Sequence, residues 1–335
     1  MWKETVDKEK NYKIYREEIK DFIPNRILDF HVHVFNEHVF PEGGPGFELP
    51  GMHIRSYTIS ETKQDMKKLY PGKEFSAVVF GFPDDKYNHE VNNRYVAADS
   101  DWKSIYPFRL LRPDEEPGKL EKELTSERFL GVKPYHCYVS GKETDEVEVV
   151  DMLPDPIMKV INNLGLIVML HIPRPGRLAD PLNQEQIAYL CKNYPDAKIV
   201  LAHIGRAYYL SNIVGCLDNL ANLKNLYCDI AMLNNWEVLE YLLSNFDHKK
   251  ILYGTDLPIG LCGGKSVEIN NQYTYVTSDP WHLSISDDHK KLVFTSFIYE
   301  EIRAVIKAAS RLKLGDSFVE DLFFNNGSNL LQRVL

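Results

Sequence analysis

Two histidines stand two residues apart in the segment ILDFHVHVF, at His31 and His33. In an extended strand every second side chain shares a face, so both imidazoles point the same way. Three more polar residues close apolar runs elsewhere: His171 ends IVMLH, His203 ends IVLAH, and Asp256 follows ILYGT. Taken singly, a histidine in an apolar run reads as well as a core residue as it does as a ligand. Taken together, imidazoles and a carboxylate at strand ends make the donor set of a divalent cation. Zn²⁺ suits that set best, and Mn²⁺ or Fe²⁺ also fit. A buried carboxylate needs a compensating charge, which a cation supplies. Few protein ligands and an open position form the catalytic pattern.

Around these five stand further candidates. Lys133, in FLGVKPY, reads as a substrate-binding ammonium or as a charge met by a carboxylate. Arg174 (HIPRPGR), Arg206 (HIGR) and Arg112 (FRLLRP) could grip a substrate acid group with two parallel hydrogen bonds, or form salt bridges at the rim. Tyr135 and His136 follow Lys133 closely enough to share its pocket. Asp229 reads either as a substrate contact or as a structural acceptor. Trp281 and His282 belong to a late insertion that could cover the site.

What must position these residues is a repeating alternation of β-rich apolar runs and amphipathic segments. Eight strands are predicted: 26–35, 76–83, 105–113, 129–138, 165–173, 197–205, 226–233 and 250–258. Helices are expected near 60–70, 88–102, 114–127, 151–164, 181–194, 208–223, 236–246 and 292–312. Runs such as KIVLA and SAVVF are apolar after their first residue, as strands covered on both faces should be. Eight strands alternating with helices predict a single (β/α)₈ TIM barrel over residues 1–335. Residues 1–25 are read as an N-terminal helical extension, and 259–290 as an insertion after strand eight that serves as a lid or as an ordinary packed loop. The phosphate turn GxGxxG is absent, which argues against a dinucleotide-binding fold.

The 335-residue chain is 44% hydrophobic and 26% charged, the profile of a globular protein with a large core. A formal net charge of −9 without a basic run speaks against nucleic acid as a partner. No run approaches the 18 apolar residues of a membrane span, and the charged N-terminus is no secretory signal. The five cysteines (Cys137, Cys191, Cys216, Cys228 and Cys262) are scattered and contain no CxxC. They fit a reducing compartment, and a cytoplasmic location is expected. Pairing into a homodimer is left open.

HxH on strand one, single histidines on strands five and six, and Asp on strand eight resemble the amidohydrolase superfamily. The segments DFHVHVF and YGTDLP are most similar to its amidohydrolase-2 branch. The resemblance implies that His31, His33, His171 and Asp256 bind metal, that His203 binds a second metal or hydrogen-bonds substrate, that one ion is expected rather than two, and that Lys133 would be a carbamylated bridge if two were held. It also implies that Asp256 takes the proton from the attacking water, with His203 or Lys133 polarising the carbonyl. The expected reaction is hydrolysis of an amide, lactone or ester-like bond in a small, anionic molecule. A decarboxylase using the same ligands is the alternative, a ligand-binding protein without turnover a third reading, and an isomerase a minor fourth.

Overall fold

The computed structural model describes residues 6–335. Its strands are β1 (Arg26–His33), β2 (Phe47–Leu49), β3 (Met52–Ile54), β4 (Glu74–Phe80), β5 (Ile105–Leu111), β6 (Gly131–Pro134), β7 (Ile167–Leu170), β8 (Lys198–Leu201), β9 (Leu226–Asp229), β10 (Ile251–Leu252), β11 (Gly264–Ile269), β12 (Gln272–Thr277) and β13 (Ser284–Ser286). Eight of them form one parallel sheet in the order β1-β4-β5-β6-β7-β8-β9-β10. Backbone hydrogen bonds from Phe30 to the Tyr253 carbonyl (2.8 Å), from His33 to that of Leu257 (2.9 Å) and from Asp256 to that of His31 (2.9 Å) bring its two edges together. Helices on the outside complete a (β/α)₈ TIM barrel.

Alternation sorts the side chains. Leu28, Phe30, Val78, Phe80, Phe108, Ile167, Met169, Val200 and Leu252 pack as one buried cluster inside the barrel. Their neighbours Ile27, Ala77, Val79, Val132 and Val168 join the larger cluster beneath the helices. Leu330 and Leu331, from the helix Asn326–Leu331, pack into the inner cluster and close that end of the barrel. In β1 the alternation is broken once. Asp29 pairs with Ala77 but Val32 with Val79, so three steps on β1 match two on β4. This one-residue bulge turns His31 and His33 to the same inner side as Leu28 and Phe30, where strict alternation would have placed them outside.

Several elements differ from their sequence-based bounds. Residues 208–223 hold only a short 3₁₀ turn, Leu210–Asn212, followed by turns. Gly215 sits at φ +74° and its N–H donates to the Tyr241 hydroxyl, so the helical ladder is interrupted there. The helix expected over 151–164 is split by Pro154 into Val149–Met152 and Asp155–Asn163. The last predicted strand contains only Ile251–Leu252 as regular ladder. The final long helix begins later than expected, at Phe297, with the Ser296 side chain capping it. The N-terminal extension is the helix Lys8–Ile14 and a wider turn at Tyr15–Ile19; residues 1–5 of that call lie outside the described residues.

Two features over the barrel mouth depart from simple loops. The insertion after strand eight is a three-stranded sheet, β11-β12-β13. A β2–β3 hairpin, unforeseen from the sequence, follows strand one. No helix among the described residues is long and apolar enough to cross a membrane, and none of the described cysteines forms a disulfide.

Candidate active site

The predicted polar residues converge at the C-terminal mouth of the barrel. His31, His33, His171, His203, Asp256, Lys133, Tyr135 and Arg206 all line one chamber of about 260 Å³. The tightest donor set is His31, His203 and Asp256, whose ligating atoms lie within 4.8 Å of one another. His33 is beside it, with Nε2 3.2 Å from Asp256 Oδ1; His31 Nε2 is 3.6 Å from the same oxygen. His171 lines the chamber with its ring 5.5 Å from that of His203, and its Nδ1 has no hydrogen-bond partner among the described residues. The closest grouping therefore includes His203, which the sequence had left between second-metal and substrate roles, and does not include His171.

Local backbone explains the aim of these side chains. His203, Ile204, Gly205 and Arg206 all have φ between 52° and 62°. For the non-glycine residues this left-handed conformation costs about 1–2 kcal/mol each. Strain of this kind concentrates at functional sites, where the surrounding structure over-determines the backbone. Here the His203 N–H donates to Asp229 Oδ1 (2.8 Å), and its Nδ1 is 3.0 Å from the Ala231 carbonyl. Asp256 is also left-handed, at φ 57°. Just before it, a Cβ on Gly254 would lie 2.9 Å from the His31 Cβ, so only glycine allows this strand end to pass so close.

The chemistry of the donors fits a divalent cation. A carbonyl can only accept, so His33 gives its Nδ1 proton to Gly81 O (2.9 Å) and His203 gives its own to Ala231 O. His31 Nδ1 meets the Asp229 carboxylate at 2.9 Å. Each imidazole thus turns an Nε2 lone pair inward. At His33 and His31 those lone pairs face the Asp256 carboxylate, a repulsive meeting that a shared cation resolves. Burial, reinforced by Lys133 and His203, holds His31 neutral, well below the usual imidazole range. Burial lowers His33 as well, against the pull of Asp256. Burial raises the Asp256 carboxyl, and positive charge at His33, His203 and His31 lowers it below the usual range, an effect that neutral rings leave to a cation held between them.

Lys133 is buried, with Nζ 3.3 Å from His31 Nε2 and 4.9 Å from the centre of the Phe80 ring. Burial brings its ammonium down to about 8, against the opposing charges of Asp229 and Asp256. Arg206 lines the chamber and donates to the Ile172 carbonyl at 3.2 Å. Tyr135 packs against the His171 ring at 4.7 Å. Arg174, by contrast, is not part of the chamber lining; its Nε is paired with Asp180 at 2.9 Å, the rim salt bridge that its sequence also allowed. Arg112 is paired with Asp114 in the same way.

Three supporting residues matter beyond the predicted set. Asp229, ambiguous from sequence, holds the His31 imidazole and the backbone of His203 and Ala231 together. Asp29 was overlooked, although it stands two residues before His31 in DFHVH. It accepts the N–H groups of His31 (3.0 Å) and Thr255 (3.1 Å) and the Thr255 hydroxyl, tying β1 to the chain entering Asp256. Burial pushes its carboxyl up to about 8 despite those donors. Glu301 accepts the Met232 N–H at 2.8 Å from beneath the β9 loop. Its only sequence signal is a charge within the buried face of a helix. Tyr208, Tyr273, Tyr275 and Trp281 roof the chamber, the last three from the insertion.

The fold is a TIM barrel whose mouth carries a donor cluster that could hold a metal ion, and the sequence assigns it to a family. The amidohydrolase family model matches residues 28–278, so the chain belongs to the amidohydrolase family, in its amidohydrolase-2 branch. Members are enzymes, hydrolases or decarboxylases. Among solved structures, "Amidohydrolase 2" from Bifidobacterium longum subsp. infantis is 16% identical, with 92% of this chain and 99% of that chain covered and a TM-score of 0.57. A structure titled probable 2-pyrone-4,6-dicarboxylic acid hydrolase from Acinetobacter baumannii is 15% identical, covering 92% and 100%, at 0.57. The 2,6-dihydroxybenzoate decarboxylase from Rhizobium is 11% identical, covering 92% and 99%, at 0.55. At these identities the likeness is one of fold alone. A sequence comparison with curated proteins finds no match.

Proposed function

We propose that this chain is a metal-dependent hydrolase that cleaves an amide, lactone or ester-like bond in a small, anionic molecule. The observation that carries this reading is the convergence of His31, His203 and Asp256 donor atoms within 4.8 Å, with the His33 Nε2 facing the same carboxylate. These residues would hold one divalent ion; Zn²⁺ suits the set, as do Mn²⁺ and Fe²⁺. When bound, such an ion supplies Lewis-acid polarisation and lowers the pKa of water. Asp256 is the ionised base that accepts the proton of the attacking water and returns it to the leaving group. Lys133 and Arg206 place positive charge on the chamber wall, where they orient a substrate acid group or a developing oxyanion. Asp229 keeps His31 in the tautomer that presents Nε2 inward. A reducing, cytoplasmic setting suits five cysteines that form no disulfide.

The aromatic roof gives a second reading specific support. Tyrosine and tryptophan rings over a chamber with Arg206 also suit a planar aromatic acid, the kind of substrate named for the decarboxylase neighbour. Elemental analysis of the purified protein, with a screen of lactones, amides and aromatic acids, tests both. About one equivalent of Zn, Mn or Fe with hydrolysis supports the proposal. Release of CO₂ from an acid without hydrolysis overturns it in favour of the lyase, and a protein purified without bound metal and unable to take it up overturns both.

A further inference from the structure

The two histidines of the tightest donor set have different partners at Nδ1. His31 meets a carboxylate directly, Asp229 at 2.9 Å. His203 meets the Ala231 carbonyl at 3.0 Å. That carbonyl belongs to the peptide unit joining Ala231 to Met232, and the N–H of the same unit donates to Glu301 Oε2 at 2.8 Å. A carboxyl therefore stands behind His203 as well, with one peptide between them.

The tilt of that peptide depends on Glu301. Met232 is left-handed, at φ 62°, a strained conformation for a residue other than glycine. This angle is rotation about the bond from the Met232 nitrogen, so it sets the plane of the 231–232 peptide. Upstream, the Ala231 N–H is held by Asp229 Oδ1 (3.1 Å) and the Ile230 N–H by the Leu252 carbonyl (3.1 Å). On the Met232 side the hold is the Glu301 bond. Glu301 is wholly buried on the helix Phe297–Arg311, among the apolar Phe297, Ile298, Ile302 and Val305. A carboxyl is costly to bury in such company, and its Oε1 has no partner among the described residues, so packing does not account for it. Burial raises the carboxyl well above its ordinary value, and the acceptor is then the carbonyl oxygen of an uncharged acid. Without that oxygen the buried Met232 N–H must turn to another acceptor, and the Ala231 carbonyl turns with it, away from His203.

We propose that Glu301 is a positioning residue for His203. Through the 231–232 peptide it fixes the ring that presents Nε2 to the metal, and it fixes Met232 in the chamber wall. Bonds in such a chain also polarise one another, which strengthens Ala231 as an acceptor. The assignment rests on the hydrolase reading only in taking His203 as a metal donor; the peptide link does not.

Zn²⁺ affinity of the full-length protein, measured by competition with a chelator, tests it. Glu301→Met removes the acceptor at similar length and is expected to weaken Zn²⁺ binding about 10–100-fold. Glu301→Gln restores an acceptor oxygen and should stay within about twofold of the unmodified protein. In a His203→Ala background, Glu301→Met should change affinity by less than about twofold, because the link has lost its end point. Glu301→Ala is read in the same way and covers a failure of the methionine variant to fold. Spectra of ¹⁵N-histidine in the metal-free protein supply a signature that general loosening does not. The Nδ1–H tautomer of His203, identified by its loss in His203→Ala, should persist in Glu301→Gln and give way to a mixture in Glu301→Met. Unchanged affinity in Glu301→Met, an equal loss with His203 absent, a glutamine variant as weak as the methionine one, or an unaltered His203 signal overturns the proposal. If the protein takes up no Zn²⁺, the hydrolase reading falls and the ring signal alone decides the link, for or against.

Discussion

The two layers inside the barrel are built from the same strands and obey opposite rules. In the lower layer, Leu28, Phe30, Val78, Phe80 and Phe108 form a dry cluster in which Phe30 and Phe108 meet edge to face at 6.0 Å. In the upper layer, one or two residues further along those strands, side chains are polar, backbones are left-handed at His203 and Asp256, and buried atoms such as His171 Nδ1 lack protein partners. The lower layer is assembled for packing; the upper one gathers polar groups around the chamber. Stability and chemistry are thereby separated along a single strand, as TIM barrels divide them between their two ends.

The separation can be broken most sharply at Asp256. Asp256→Asn is expected to lower turnover about 10²–10⁴-fold, the usual contribution of a general base, with little change in melting temperature. Turnover of the substrate found by the screen and a thermal melt check both halves, and retained turnover would remove Asp256 from its role. The mirror-image change is Phe30→Ala. It should cost about 3–5 kcal/mol in denaturant unfolding while metal bound per folded molecule stays constant. A loss of metal without loss of stability would show that the two layers are not separate.

Asp229→Ala tests the link that carries the histidines. Loss of an outer partner of a metal-binding histidine typically weakens metal affinity about 10–100-fold, and competition with a chelator would measure it. An unchanged affinity would leave Asp229 a purely structural acceptor.

Smaller effects lie in the pH dependence of stability, and they should run in opposite directions at the two ends. Burial, with Asp29, Asp229 and Asp256 nearby, raises the Glu301 carboxyl well above its ordinary value against the Met232 N–H. A raised folded pKa contributes stability that is complete below the unfolded pKa and is lost as pH climbs towards the folded one. Glu301→Gln should therefore flatten the alkaline limb of a stability–pH profile. At the opposite end, Asp101 caps the turn into β5. Burial pushes its carboxyl up, but the N–H groups of Ser104, Ile105 and Lys103 and the Ser104 hydroxyl hold it below its ordinary value. That contribution is present above the unfolded pKa and fades as pH falls, so Asp101→Asn should flatten the acid limb, and less, since the group is partly solvent-screened. Unfolding curves from about pH 2 to 9 on both variants check the pair; slopes of the same sign would contradict it.

The architecture was legible because its cause is local. Runs such as IVLA and AVVF are apolar at every position, and eight β-rich segments in alternation with helical ones leave few folds to choose from. His31, His33, His171, His203 and Asp256 were legible for the same reason, each lying within or at the end of a largely apolar run. The misreadings are non-local. Residues 208–223 have helical composition, but Gly215 and the Tyr241 hydroxyl from the next helix redirect the backbone. The β2–β3 hairpin has only three residues per strand and is held by what it covers. Arg174 and Arg206 follow their histidines in similar contexts, yet one is claimed by Asp180 and the other reaches the chamber.

From the sequence alone came the barrel, the polar residues at its mouth and the expectation of a cation between them, because side-chain period and apolar runs are properties of short segments. Only the tertiary structure decided that a bulge in β1 turns His31 and His33 inward and that a left-handed turn brings His203 to Asp256. It alone showed Asp229, Asp29 and Glu301 supporting them, and two insertions folded over the mouth. Those features depend on which distant backbone donors and side chains meet when the cylinder closes, and no segment carries that information by itself.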